Sequence, residues 1–215
     1  MKPFPKRLKL ADLPTRIEKL ERFSERTGLN VYVKRDDMSG MEWSGNKIRK
    51  LEFSIQEALD RGADTLITCG GIQSNHCRAT AAAAARLGLR SCLLLRTDDP
   101  DPLLDGNYFI DKVLGADIRF ISAEDYRSRR GEVMEELAGE FERQGHKAYI
   151  IPEGASNGIG TFGYLSCMQE ILQQEKEMGV QFDTIVDAVG SGGTLAGLVL
   201  ANRLYGLNKR IVGIN

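Results

Sequence analysis

Short apolar runs alternate with longer stretches of helical periodicity along most of this 215-residue chain. The pattern predicts strands at Val31–Lys34, Thr65–Cys69, Ser91–Leu95, Asp117–Ile121, Ala148–Ile151, Thr184–Val189 and Arg210–Ile214. It predicts helices near Lys47–Arg61, Asn75–Leu87, Asn107–Leu114, Ala123–Gln144, Gly160–Glu177 and Thr194–Leu204. The strand runs are rich in Val, Ile and Leu and lack polar alternation, as strands covered on both faces do. Such alternation implies an α/β fold of open parallel, doubly wound sheets with helices on both faces. Ligands of these sheets sit beyond the carboxyl ends of the strands, so the chemistry is to be sought in the strand-to-helix turns.

An internal echo bears on the number of lobes. Asp64-Thr65-Leu66-Ile67 leads through a glycine turn into an alanine-rich helix ending at Gly88-Leu89. Asp183-Thr184-Ile185-Val186 leads in the same way to Gly206-Leu207. Two related lobes, or a chance likeness of two βα units, both account for it. The last run, Arg210–Ile214, reads as a buried parallel strand with no helix after it to cover it. The chain is therefore expected to be part of a longer domain.

Composition narrows the classes. A chain with 42% hydrophobic and 27% charged residues matches an ordinary soluble protein with a substantial core. A net charge of −1 and the lack of a basic run argue against nucleic acid as a partner. The basic N-terminus is interleaved with Pro3 and Pro5 and leads into no apolar run, and no segment reads as a membrane span. Cys69, Cys77, Cys92 and Cys167 form no C-x-x-C pair and suit buried reduced thiols in a cytoplasmic protein. With only His76 and His146 available, no common zinc spacing exists and no metal is expected.

The segment Gly45-Asn46-Lys47-Ile48-Arg49-Lys50-Leu51 places three cations at the start of a helix, where the helix dipole disfavours them. Ile48, Leu51, Ile55 and Leu59 mark the helix, Asn46 is suited to cap it and Gly62 to stop it. Like-signed neighbours and the dipole both favour the neutral amine of Lys47, lowering its pKa and making it a nucleophile. A set of solvated surface lysines is the plainer reading of this segment.

Two strand-to-helix turns carry further chemistry. In Gly70-Gly71-Ile72-Gln73-Ser74-Asn75-His76 the glycines admit close backbone approach, and the polar run exceeds what one helix cap requires. In Gly190-Ser191-Gly192-Gly193-Thr194, successive N–H groups at a helix start form an anion cradle suited to a phosphate. The dinucleotide pattern fails there: its third glycine is replaced by Leu195, and no acid lies between Thr194 and Asn215 to meet a ribose. No Gly-Lys-Ser/Thr follows either, so a small phosphorylated cofactor fits best. A third glycine-rich stretch, Pro152 to Tyr164, reads as a flexible link between lobes or as a segment closing over substrate.

A nucleophilic lysine, an Asn-bearing turn and a phosphate cradle together suggest pyridoxal 5′-phosphate. Gly45-Asn46-Lys47-x-Arg49-Lys50-Leu51-Glu52, Gly70-Gly71-x-Gln73-Ser74-Asn75-His76 and Gly190-Ser191-Gly192-Gly193-Thr194 resemble the signature segments of one family. It is the D-cysteine desulfhydrase / 1-aminocyclopropane-1-carboxylate deaminase family of tryptophan-synthase-β-like, fold type II enzymes. The likeness runs from about Leu13 to the end of the chain. It implies that Lys47 links covalently to the cofactor and carries the proton at the substrate α-carbon. Asn75 would bond the ring hydroxyl, and Ser74 would meet the substrate carboxylate or help attack. Gly190, Ser191, Gly192, Gly193 and Thr194 would hold the phosphate, with His76 beside Ser74 and Asn75 at the substrate. His at position 76, where deaminases usually carry Gln, resembles the desulfhydrase branch.

The resemblance implies two lobes: residues 53–158 form the small one, and 1–52 with 159–215 the large one. Members of the family continue well past residue 215, in a part that supplies the partner of the pyridine nitrogen and tyrosines near the substrate. The implied activity is α,β-elimination from a small β-substituted amino acid, most simply D-cysteine to pyruvate, sulfide and ammonia. Aminocyclopropane carboxylate deamination and cysteate elimination are the alternatives, and a non-catalytic cofactor-binding module is the alternative of another class. A homodimer is the assembly the relatives imply.

Overall fold

A computed structural model describes residues 4–215. The N-terminal segment holds β1 (Ile17–Lys19), α1 (Glu21–Thr27) and β2 (Tyr32–Lys34), followed by α2 (Lys47–Asp60). A run of βα units follows: β3 (Thr65–Gly71), α3 (Asn75–Leu87), β4 (Arg90–Arg96), α4 (Gly106–Val113), β5 (Asp117–Ile121), α5 (Ala123–Arg143) and β6 (Ala148–Ile150). The chain continues through α6 (Gly158–Met178), β7 (Thr184–Ala188), α7 (Gly193–Leu204) and β8 (Arg210–Ile214).

The expected parallel sheet is present as four strands in the order β5-β4-β3-β6, with every pair parallel. Its apolar side chains alternate between two covered faces. Leu93 and Leu95 of β4 pack with Cys77 and Ala81 of α3 and Tyr108 of α4. Cys92 and Leu94 pack on the other side with Tyr126, Met134, Leu137 and Phe141 of α5. Continuous apolar strands are the consequence of this double cover. All four cysteines are free and buried.

The β7–β8 pair forms a second parallel sheet, lined by the α6 and α7 core around Met168, Leu198 and Ala201. The internal echo is structural. Arg90 N donates to Asp64 O at 2.9 Å and Arg210 N donates to Asp183 O at 2.7 Å, so both βαβ units begin in the same register. Val186 and Ile214 on this pair remain 65% and 58% exposed.

One expected strand behaves differently. Tyr32–Lys34 pairs antiparallel with β1, in the register Ile17↔Lys34 and Lys19↔Tyr32. Two of the three β1 residues, Glu18 and Lys19, are charged, so no apolar run marks the partner in the sequence. The expected lobe boundary at Phe53 falls within α2, which continues unbroken from Lys47 to Asp60.

Close helix packing joins the lysine helix to the rest. A Cβ on Gly163 of α6 would lie 2.6 Å from the carbonyl oxygen of Arg49, so α6 rests directly on the α2 backbone. One turn-pair further, Gly197 of α7 lies against Tyr164 of α6 with no space for a methyl group. Helix α6 thus sets the distance between the start of α2 and the start of α7. Among the described residues, no helix is long and apolar enough to cross a membrane.

Candidate active site

Lys47 is the first residue of α2 and faces the turn between β7 and α7. Asn46, Lys47, Lys50 and Asp187 line one pocket together with the loop Gly190–Thr194. The two signature segments meet at the carboxyl end of β7, as a parallel sheet directs. The first N–H groups of α7 have no acceptor within the helix and are available to an anion.

The amine of Lys47 is held below the usual lysine range, and the cause is burial; Asp187 and Glu153 oppose the shift. This corrects the expectation that neighbouring cations do the work. Arg49 turns away from the site and is buried, its guanidinium paired with Asp36 at 2.8 Å and Glu170 at 2.8 Å. Asn46 also departs from expectation. Its backbone is already helical and its side chain makes no cap; it donates instead to Thr194 Oγ1 at 2.9 Å.

Lys50 and Asp187 are site residues that motif reading missed. Lys50 is fully buried, and its nearest polar partner is Ser156 Oγ at 3.5 Å. Burial first, then the charge of Lys47, push its pKa down to about 7. A spacing of three residues on one helix face was the available signal. Asp187, the penultimate residue of β7, lines the pocket, and burial raises the pKa of its carboxyl against the pull of Lys47 and Lys50. Its Oδ2 is buried without a hydrogen-bond partner among the described residues. Nothing in the sequence near Asp187 marks it.

The second turn closes over β3. Gly70 packs so tightly on Ser74 and Cys77 that a Cβ would sit 2.7 Å from Ser74 Cβ. Ser74 caps α3 by accepting from Cys77 N at 3.2 Å. Asn75 is exposed at the start of α3, its Oδ1 accepting from Asn107 Nδ2 at 2.9 Å. His76 departs from the expectation of a substrate contact: its ring is buried and turned inward. Its Nε2 lies 2.8 Å from Thr68 Oγ1, and that hydroxyl donates to Ile151 O at 2.7 Å. The ring nitrogen Nε2 is therefore the donor, and burial followed by the two lysines lowers its pKa to about 3. His76 stays neutral beneath the site.

The glycine-rich stretch after Pro152 is neither a loose link nor free. Ser156 Oγ and Ser191 Oγ are 2.7 Å apart, and a Cβ on Gly193 would lie 2.9 Å from Ser156 Cβ. Gly154 and Ala155 adopt φ of 66° and 49° where this turn packs against the Gly190–Thr194 loop. Beside Ser191 a cavity of about 500 Å³ opens between Arg130 and Met134 of α5 and the turn at Glu153 and Ser156.

A parallel α/β core with a half-buried lysine facing a glycine-rich helix start defines a class of phosphorylated-cofactor proteins. Residues 8–215 match the family model described as pyridoxal-phosphate dependent enzyme, and the chain belongs to that family. It is 45% identical over 98% of its length to the Arabidopsis thaliana mitochondrial bifunctional D-cysteine desulfhydrase/1-aminocyclopropane-1-carboxylate deaminase, covering 55% of that protein. It is 40% identical to the D-cysteine desulfhydrase of Serratia proteamaculans over 98% of this chain and 64% of that one. The crystal structure of an ACC deaminase homologue, 42% identical, superposes with a TM-score of 0.89 over 98% of this chain and 63% of that chain. A threonine deaminase at 21% identity and TM-score 0.72 shares the fold. The chain thus spans less than two thirds of the length of these relatives.

Proposed function

We propose that this chain builds the lysine and phosphate side of a pyridoxal 5′-phosphate site in an enzyme of α,β-elimination. The leading substrate is a small β-substituted amino acid, with D-cysteine yielding pyruvate, sulfide and ammonia. The observation that carries the reading is the pair of half-buried Lys47 and buried Lys50 facing the loop Gly190–Thr194 in one pocket.

The residues present fit the cofactor. Lys50 is a buried amine without a carboxylate in contact, beside a helix start whose N–H groups point outward. An anion there satisfies both. Gly193 and Gly154 have no room for a side chain against Ser156 and Ser191, which keeps the loop backbone open to a phosphate. Gly190, Ser191, Gly192, Gly193 and Thr194 would hold the phosphate together with Lys50, and Lys47 Nζ would reach the aldehyde carbon. When bound, pyridoxal phosphate supplies an electron sink for the substrate's α-carbon.

The chain's own groups do the rest. Burial holds the Lys47 amine below the usual lysine range and so favours its neutral, proton-accepting form. On this reading Asn75 would meet the ring oxygen and Ser74 the substrate, while neutral His76, bonded to Thr68, supports the turn that Ser74 caps. The names of the relatives support both desulfhydration and ring-opening deamination. Sulfide, sulfite and 2-oxobutyrate release, compared across D-cysteine, cysteate and aminocyclopropane carboxylate, separates these substrates. The large and small lobes, a homodimer and a cytoplasmic setting belong to the same proposal, carried by the resemblance.

The test is borohydride reduction in the presence of pyridoxal 5′-phosphate followed by peptide mapping. Label is expected on Lys47 and lost in K47A; label elsewhere, or none, overturns the reading. Cofactor attachment without any keto-acid product would instead support a binding module.

A further inference from the structure

Asn75 lies in a chain of hydrogen bonds that begins in the lysine segment. Arg78 Nη2 donates to Ser44 O at 2.8 Å and to Ser44 Oγ at 3.2 Å, three residues before Lys47. Arg78 Nη1 donates to Asn107 Oδ1 at 2.9 Å. Asn107 Nδ2 then donates to Gln73 O at 2.8 Å and to Asn75 Oδ1 at 2.9 Å. The backbone N–H of Asn107 donates to Gln73 Oε1 at 2.7 Å, and Gln73 Nε2 donates to Asp105 Oδ1 at 2.8 Å.

The polarity of this chain is dictated by chemistry. A guanidinium has donors only, so Asn107 must turn its carbonyl oxygen toward Arg78. Its NH2 then faces a backbone carbonyl and Asn75, and only the Oδ1 of Asn75 can accept it. The NH2 of Asn75 is thereby turned away from Asn107 and left as the free end of the amide. A cofactor ring oxygen that carries negative charge needs a donor. The wrong amide orientation would oppose it with a second acceptor.

We propose that Asn107, with Arg78 behind it, is a positioning residue that locks the Asn75 carboxamide with its NH2 toward the cofactor ring oxygen. Asn107 belongs to α4, outside all three signature segments. The inference rests on the reading of Asn75 as the partner of that oxygen. Asn107 reaches no reacting atom; it acts through Asn75 alone.

The experiment uses the full chain loaded with pyridoxal 5′-phosphate and reads the absorption spectrum of the bound cofactor across pH. In N107D the carboxylate can only accept, so Asn75 must turn its NH2 back and offer Oδ1 to the ring. The ratio of visible-absorbing to near-ultraviolet-absorbing cofactor is expected to fall about threefold to tenfold, the equivalent of one hydrogen bond. R78M is expected to shift the ratio the same way, whereas R78K, which still donates to Asn107 Oδ1, retains the wild-type spectrum. Circular dichroism identifies a variant that fails to fold, in which case the R78M and R78K pair decides. An N107D or R78M spectrum unchanged from wild type, while N75A is shifted, overturns the positioning role and leaves the reading of Asn75 intact. A cofactor attached to Lys47 with an unshifted N75A spectrum overturns both.

Discussion

Asn46 donates its side-chain amide to Thr194 Oγ1 at 2.9 Å, joining two residues separated by 148 positions in the chain. One precedes Lys47 and the other closes the glycine loop, so this bond ties the two halves of the proposed cofactor site together. Its loss in N46A should weaken pyridoxal 5′-phosphate binding by about threefold to tenfold, the range of one net hydrogen bond. Fluorescence titration measures the change. Saturating cofactor should still label Lys47, because the lysine itself is untouched.

Lys50 makes stability depend on pH in a defined window. Its pKa is about 7 in the folded chain against an ordinary value of 10.5, so between these values the unfolded chain binds more protons. Stability without cofactor therefore rises with pH from about 7 to 10.5 on this account, and the contribution levels off below 7. K50M removes the titrating group and should lie above wild type in melting temperature at pH 7, with the gap closing toward pH 10. Inorganic phosphate should raise the wild-type melting point at pH 7 and leave that of K50M nearly unchanged.

Asp111 gives the opposite slope. Its carboxyl is buried with neither oxygen hydrogen-bonded among the described residues, and burial lifts its pKa to about 7 despite nearby Arg78. Between the ordinary value of 3.8 and about 7 the folded chain holds the extra proton, so stability falls as pH rises through that range. D111N should match wild type near pH 3.5 and exceed it in thermal midpoint at pH 8. Equal midpoints at pH 8 would show that the carboxylate finds a partner on ionising.

Arg49 is the central member of a buried ionic cluster. Its guanidinium holds Asp36 and Glu170 and reaches Thr15 Oγ1 at 3.0 Å, while Tyr164 donates to Asp36 at 2.6 Å and Lys34 to Glu170 at 3.0 Å. R49M leaves two buried carboxylates short of a partner and should cost about 3–5 kcal/mol in calorimetric stability. Adding D36N and E170Q to R49M should recover part of that loss, since the penalty comes from uncompensated charge.

Much of the architecture was legible because it depends on local signals. Apolar runs bounded by glycine marked β3, β4, β5, β7 and β8 to within two residues, and helical spacing marked α2, α3 and α5. The strand β1 was not legible, since Glu18 and Lys19 are charged and only pairing with Tyr32–Lys34 makes them a strand. In the site, the glycine loop and Ser74 announced themselves through turn and cap chemistry. Lys50, Asp187 and Asn107 did not, because nothing beside them in the chain shows what they face.

By itself the sequence determined the alternation of strands and helices, the two glycine turns and the presence of an unusual lysine at a helix start. These follow from periodicity and from the backbone preferences of neighbouring residues. Only the tertiary structure decided which cation faces the pocket, why its pKa falls and which way the histidine points. Arg49 turns inward and Lys47 outward because the carboxylates that claim Arg49 come from Asp36 and Glu170, on separate elements. Burial, the main cause of the lysine shifts, is a property of packed helices and of no single segment.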